Sequence, residues 1–457
     1  MDRVEDRTKE RVTIPVIGGG WAGCAAALAL AKAGYRIALY ETAQDLGGRA
    51  RRVVRDGLPL DNGQHVLLGA YAETLRSLAF VNGNVSKSPF VQRPLAISPF
   101  AQTQHDAIML RAWRSPPPFA LFAGLMSARG LSWRDRIATA RWFARLRKGG
   151  YRVGAGTTAA ELMAALPTRA RERLLMPLCL SALNTPPARA SAQVFANVLR
   201  ATFDGADGAS DMLLPSTDLA ALFPHAIARW LAANGHVIHL RAEATIVGTV
   251  ERSIVVRSED REIRAPAAMV AVAPHQLSRA FGPAVRADES IACAIREVDR
   301  LEWEPIVTVY LGYAESVDLP AGLVQLDDKP GQWIFDRRDI LARAQAGAPA
   351  LAALLAVVVS GSGAHTALTN DVLTRDVDAQ LRRLRPTLPR VTWSQVITEK
   401  RATYSCTPTA ARPHPGRLTA GIYLAGDYTD QEFPATLEAA VRSGRVAAEQ
   451  LARDVGS

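Results

Sequence analysis

Gly18, Gly20 and Gly23 are spaced as GxGxxG, with Trp21 and Ala22 between the second and third. That spacing suits a pyrophosphate. The first glycine permits a tight turn, the second lets backbone approach the diphosphate, and the third lets a helix pack on a strand. Glu41 follows Gly18 by 23 positions. A carboxylate there accepts from ribose hydroxyls and repels a 2′-phosphate. Two more groups carry candidate chemistry: Gly47-Gly48-Arg49, and Gly426-Asp427 near the other end of the chain.

The elements that must position these residues are legible around them. Residues 12–17 are β-rich and run straight into the glycines. An Ala/Leu-rich helix, 24–33, is closed by Gly34, and a second strand, 36–40, ends at Glu41. This is βαβ order, and the helix N-terminus offers free N–H groups to phosphates. At this level the dinucleotide is either NAD or FAD.

The 457 residues carry a net charge of +10, and 48% of them are hydrophobic. That hydrophobic share supports a large core and excludes wholesale disorder. The length suggests two or three domains. Cys24, Cys179, Cys293 and Cys406 lie far apart with no CxxC pair. A disulfide scaffold and a cysteine zinc site are excluded, no metal is expected, and a reducing cytoplasm fits. The longest apolar run, 348–359, falls short of the roughly 18 residues of a membrane span and reads as a buried strand or helix. A charged start before an Ala-rich stretch is reminiscent of a signal peptide, but three consecutive glycines interrupt it. No internal repeat or low-complexity tail is visible. The Ser-Pro-Pro-Pro after Arg114 marks a loop.

Leu46-Gly47-Gly48-Arg49-Ala50 resembles the GGR signature of the amine oxidase and phytoene desaturase flavoproteins. The resemblance implies FAD, with the glycines passing close to its pyrophosphate and Arg49 neutralising it. The segment 61–65, DNGQH, is similar to that superfamily's short strand toward the flavin ring, and His65 is either catalytic or a packed, hydrogen-bonded histidine. Near the C-terminus, strand 421–424 leads to Gly426-Asp427, and PATLEAAVRSGR (434–445) opens a last helix. By the same resemblance Asp427 bonds the ribityl chain, while Ala435 and Thr436 at the helix start face the ring. Strand 236–240 followed by Ala244 matches the adenine-contacting segment, and Ala271 to Pro274 a strand end. The implied fold is α/β: a Rossmann-like FAD-binding domain (11–80, 206–290 and 391–457) with an inserted mixed α+β substrate domain (81–205 and 291–390).

Within that insert, 111–152 holds ten basic residues against one acid, Asp135, which is nearly the whole net charge. Trp113, Phe119, Leu121, Phe122, Leu125 and Met126, then Trp133, Ile137, Trp142, Phe143 and Leu146, add apolar surface. Ile137, Ala140 and Ala144 share a helical face beside Phe143. Such a segment suits anionic lipid headgroups, at about 1 kcal/mol per basic residue. The alternative is a solvated Arg-rich helix. No nucleic-acid fold signature accompanies the charge, so no nucleic-acid partner is expected.

The resemblance then narrows. PLCLSALNTPP (177–187) and ASAQVF (190–195) are similar to the hydroxysqualene dehydroxylases, squalene-associated FAD-dependent desaturases of bacterial hopanoid pathways. DMLLP (211–215), EPIVTVY (304–310), QWIFD (332–336) and KRATY (400–404) agree. Ala244 departs from the valine usual in relatives, a change that a backbone contact would survive. The resemblance implies an isoprenoid lipid substrate, reductive loss of its allylic hydroxyl, and a peripheral place on the inner face of the cytoplasmic membrane. Tyr404, 23 positions before Asp427, is the first candidate proton donor, followed by His65 and Asp336. Tyr310, Trp333 and Phe335 are expected to line the substrate tunnel. Two other readings share the flavin motifs: an oxidative desaturase of phytoene or dehydrosqualene, and a non-catalytic isoprenoid carrier. No second dinucleotide motif is visible, so the electron donor to FAD stays unassigned.

Overall fold

The short Val/Ile-rich runs at Thr13–Ile17, Arg36–Glu41, Val237–Leu240, Ala268–Val270 and Ile422–Leu424 pair in parallel. With Gly416–Thr419 antiparallel at one edge they form a six-stranded sheet. These assignments come from a computed structural model that describes residues 12–83, 89–101, 107–113 and 119–456, without the side chain of Leu121. Arg114 and the loop after it lie outside the described residues.

Alternation sets the layers of this sheet. Ile37 and Leu39 face a helical layer, while Ala38 and Tyr40 face the opposite core. The helical layer holds Trp21–Lys32, Pro224–Ala233 and Leu437–Gly456. The first and last of these cross closely: a Cβ on Gly444 would stand 2.3 Å from the carbonyl oxygen of Ala22.

A second, seven-stranded sheet runs in the order Val391–Tyr404, Trp303–Tyr313, Ala353–Ser360, Trp333–Asp336, Leu323–Gln325, Ala96–Pro99, Leu110–Arg111. The apolar run read at 348–359 supplies its central strand. One face packs Val307, Val309, Leu355, Val357 and Ile334 under helix Asn370–Leu384. The other face presents Ile306, Trp333, Phe335, Val358 and Ser360 to a cavity. The expected boundary at 391 is corrected here. Val391–Tyr404 pairs with Trp303–Tyr313 along its length, from Trp303 opposite Tyr404 to Tyr313 opposite Val391. The chain therefore leaves the second sheet only after Tyr404.

Helices Met176–Leu183 and Ala192–Phe203 line the cavity on its remaining side, and Phe119–Met126 and Trp133–Lys148 reach a small apolar void that shares Leu178 and Phe203 with it. Trp133–Lys148 begins with a capping box, in which Ser132 accepts from Asp135 N–H and Asp135 from Ser132 N–H. Its inward face is Thr139 and Trp142, with Ala140, Phe143 and Leu146. Ile137 and Ala144, expected on the apolar face, are exposed on the opposite side. Among the described residues no helix is long and apolar enough to cross a membrane.

Candidate cofactor and substrate cavity

Parallel strands deliver their carboxyl ends to one crevice. Here Ile17 leads to Gly18, Tyr40 to Glu41, Leu240 to Ala242 and Ala244, Val270 to Ala271, and Leu424 to Gly426 and Asp427, and the residues so reached line one cavity. Its volume is about 1220 Å³. That exceeds the roughly 300–1,000 Å³ of an ordinary small-molecule site and leaves room for a cofactor beside a substrate.

At the nucleotide end the geometry fits FAD. Helix Trp21–Lys32 starts at Gly20 with no side-chain cap and no acid in its first turn. Its leading N–H groups are thus free for an anion. A Cβ on Gly20 would meet only Gly48 Cα, at 3.9 Å, so the floor between the two glycine loops is bare. Gly23 instead lets the helix pack close, since a Cβ there would lie 1.8 Å from Gly18 O. Glu41 fastens the turn: Oε2 accepts from Gly19 N–H at 2.7 Å and Oε1 from Ala43 N–H at 2.8 Å. Ala242 N–H donates to Glu41 O, which holds the segment carrying Ala244 against that strand.

Arg49, Gly47, Trp21, Ala22, Ala435 and Thr436 also line the cavity. Arg49 donates to Asp427 and to Ala402 O, the latter at 2.8 Å. Asn62 bridges Arg49 O at 3.0 Å and Glu399 Oε2 at 2.9 Å. These side chains could hold the pyrophosphate and ribityl portions of FAD.

The candidate proton donors separate. His65 lines the cavity, with Nδ1 3.1 Å from Gly63 O. Burial holds its imidazole below the usual histidine range. Tyr404 is corrected: it is buried outside the lining, where Arg412 donates to its hydroxyl at 2.6 Å and that hydroxyl donates to Phe433 O. Burial pushes the phenol well above its normal range. Asp336 is corrected as well. It lies on the opposite side of its strand from Trp333 and Phe335, caps Arg338 N–H at 2.9 Å and pairs with the same residue's guanidinium. Trp333 and Phe335 line the cavity, but Tyr310 does not. The hairpin Arg52–Arg55 and Leu58–Asp61 covers Tyr310, whose hydroxyl donates to Asp61 O at 3.1 Å.

Several lining residues escaped the sequence reading. His275 follows the strand end at Pro274 directly, and burial with Arg401 and Arg49 nearby lowers its imidazole value. Glu399, Lys400 and Arg401 come from the long strand. Glu438 accepts from Glu73 N–H, Thr74 N–H and Thr74 Oγ1, and burial raises its carboxyl value. Beyond the polar end, Leu95, Leu178, Ala182, Phe195, Val198 and Phe203 form an apolar chamber with Trp333 and Phe335.

A parallel sheet with a glycine-floored crevice, opening into an apolar chamber under a second sheet, defines a two-domain nucleotide-dependent oxidoreductase. The chain belongs to the flavin containing amine oxidoreductase family, whose pattern matches residues 21–452. It is an FAD-dependent oxidoreductase. A hydroxysqualene dehydroxylase of Rhodopseudomonas palustris is 26% identical over 96% of this chain and 97% of its own. One from Sinorhizobium fredii is 25% identical over 95% and 97%. The solved cyclohexylamine oxidase of Brevibacterium oxydans shares the fold with a TM-score of 0.68 at 17% identity, covering 98% of this chain and 100% of that one.

Proposed function

We propose that this protein removes the hydroxyl group of hydroxysqualene to give squalene. The carrying observation is the apolar chamber of Leu95, Leu178, Phe195, Val198, Phe203, Trp333 and Phe335, continuous with the flavin cradle. The full-length similarity to hydroxysqualene dehydroxylases supports the same reading. The overall change is hydroxysqualene plus reduced FAD giving squalene, water and oxidised FAD. Bound reduced FAD supplies the two electrons and the hydrogen that ends on carbon.

The chain's own residues do the rest. The chamber walls take up the polyene and exclude water. Trp333 and Phe335 present electron-rich faces to an allylic cation left when the hydroxyl departs. His65 carries the proton that turns the departing hydroxyl into water: Nδ1 is held by Gly63 O, which reserves Nε2 for this proton. Lowered by burial, the protonated ring is a stronger acid than an exposed one.

Anaerobic incubation of photoreduced enzyme with hydroxysqualene, followed by mass spectrometry, tests the proposal. Squalene appears as the flavin reoxidises. Absence of squalene, together with desaturation of phytoene or dehydrosqualene by the oxidised enzyme, overturns it in favour of an oxidative desaturase.

A further inference from the structure

Six of the fifteen large hydrophobic side chains left exposed among the described residues fall within residues 109–137. They are Met109, Trp113, Phe119, Phe122, Trp133 and Ile137. Phe119 at 66%, Trp133 at 63%, Trp113 at 61% and Phe122 at 55% are the four most exposed, and no other passes 45%. A soluble surface does not ordinarily cluster its most exposed aromatics.

The segments carrying them are neighbours in space. Met109 and Arg129 exchange backbone hydrogen bonds. Gly124 of helix Phe119–Met126 lies against Arg111 and Ala112. Arg136 donates to Met126 O at 2.6 Å and covers the Trp133 ring.

Charge accompanies the aromatics. Arg111, Arg129, Arg134, Arg141, Arg145 and Lys148 are exposed. Among the described residues Arg134, Arg141, Arg145 and Lys148 make no ion pair, although Arg147 on the same helix pairs with Asp204. Arg134, Ile137, Arg141, Ala144, Arg145 and Lys148 share one outward stripe at helical spacing. Aromatics that enter the interface, ringed by unpaired cations, match an anionic lipid surface in both chemistry and charge.

Directly beneath lies a small void of about 20 Å³ lined only by apolar residues. Leu125 from one helix and Phe143 from the other reach it, and Leu95, Leu178 and Phe203 line both this void and the large cavity.

We infer that this face docks on an anionic bilayer, and that the isoprenoid enters from the membrane through the apolar seam between Phe119–Met126 and Trp133–Lys148. The entry route rests on the substrate proposed above; the docking does not.

The test is flotation of the FAD-loaded full chain with vesicles of phosphatidylcholine alone or mixed with phosphatidylglycerol. The protein floats with the anionic vesicles only. Binding falls as salt rises from about 0.1 M to about 1 M, which shortens the screening length from ~10 Å to ~3 Å. The combination Arg134→Glu, Arg141→Glu, Arg145→Glu and Lys148→Glu lowers binding about tenfold or more. Reversing exposed Arg252, Arg264, Arg300 and Arg390 instead leaves binding unchanged. Phe119→Ser with Trp133→Ser also weakens binding, and flavin content is retained in every variant. Equal flotation on both vesicle types, or on neither, overturns the inference. So does a dimer in solution that Phe119→Ser and Trp133→Ser split, which would assign the face to a second copy. Protein that floats as described but yields no squalene leaves the docking standing and rejects the substrate, and with it the entry route.

Discussion

Arg49 and Asp427 stand 378 positions apart in the chain and close an ion pair within the cofactor cavity. One partner comes from the loop after the second parallel strand, the other from the loop after the fifth. The pair therefore ties together two walls of that cavity. Arg49→Ala removes charge-assisted hydrogen bonds of about 1.5–3 kcal/mol, so FAD affinity falls roughly tenfold to a hundredfold. Titration of apoprotein with FAD reads this directly. Arg49→Lys recovers only part of the loss, because an ammonium cannot reach Asp427 and Ala402 O together as the fork does.

Two glycines three positions apart should fail in different ways. Gly20→Ala meets nothing nearer than Gly48 Cα at 3.9 Å, so the apoprotein keeps its melting temperature while the methyl group occupies the diphosphate floor. Gly23→Ala drives a carbon to 1.8 Å from Gly18 O and forces the helix off the strand. The first variant should purify folded and colourless, and the second largely insoluble. A yellow Gly20→Ala protein would contradict the placement of the diphosphate.

His65 should control turnover without controlling flavin content. His65→Gln lowers the dehydroxylation rate about 10²–10⁴-fold, the range for losing one positioned proton carrier. In the parent enzyme the rate declines with rising pH, and the decline is centred below 6.5 because burial lowers this imidazole. Single-turnover flavin reoxidation across a pH series checks both statements.

Stability should respond to acid in a related way. Burial lowers the imidazole values of His65, His275 and His365 in the folded chain. As pH falls through the ordinary value of 6.5, the unfolded chain binds protons that the native one refuses. Stability is therefore full above that value and declines below it, down to the lowered values. Replacing His65 with Gln removes one share of that decline in urea midpoints measured between about pH 5 and pH 8.

Arg337 is buried with Asp61 and Asp339, and it also donates to Gln64 at 2.5 Å. This cluster stands behind the segment that carries His65. Arg337→Met strands Asp61, which is 3% exposed, and should cost about 3–5 kcal/mol. Tyr310→Phe removes one neutral hydrogen bond and should cost about 1 kcal/mol with no change in product. Chemical denaturation of both variants gives the comparison.

The nucleotide end was legible because its chemistry is local. A strand, a glycine turn and a helix N-terminus form one short string of residues, and Glu41 ends the next strand. The chamber was legible only in part. Trp333 and Phe335 share a side of their strand by alternation, and that same parity turns Asp336 away. Tyr310 and Tyr404 could not be placed by alternation. A hairpin from residues 52–61 covers the first, and Arg412 takes the hydroxyl of the second. Both arrangements join segments that only the assembled fold brings together. His275 and Glu438 were missed for the same reason: each adjoins a recognisable motif, yet faces the cavity through contacts made elsewhere.

The crossing of Trp21–Lys32 with Leu437–Gly456 has a consequence for biogenesis. The glycine turn leaves the ribosome well before Asp427 and the helix that seals the crevice. Nascent chains thus hold half a flavin site until that helix has emerged, and loading follows its docking on Trp21–Lys32.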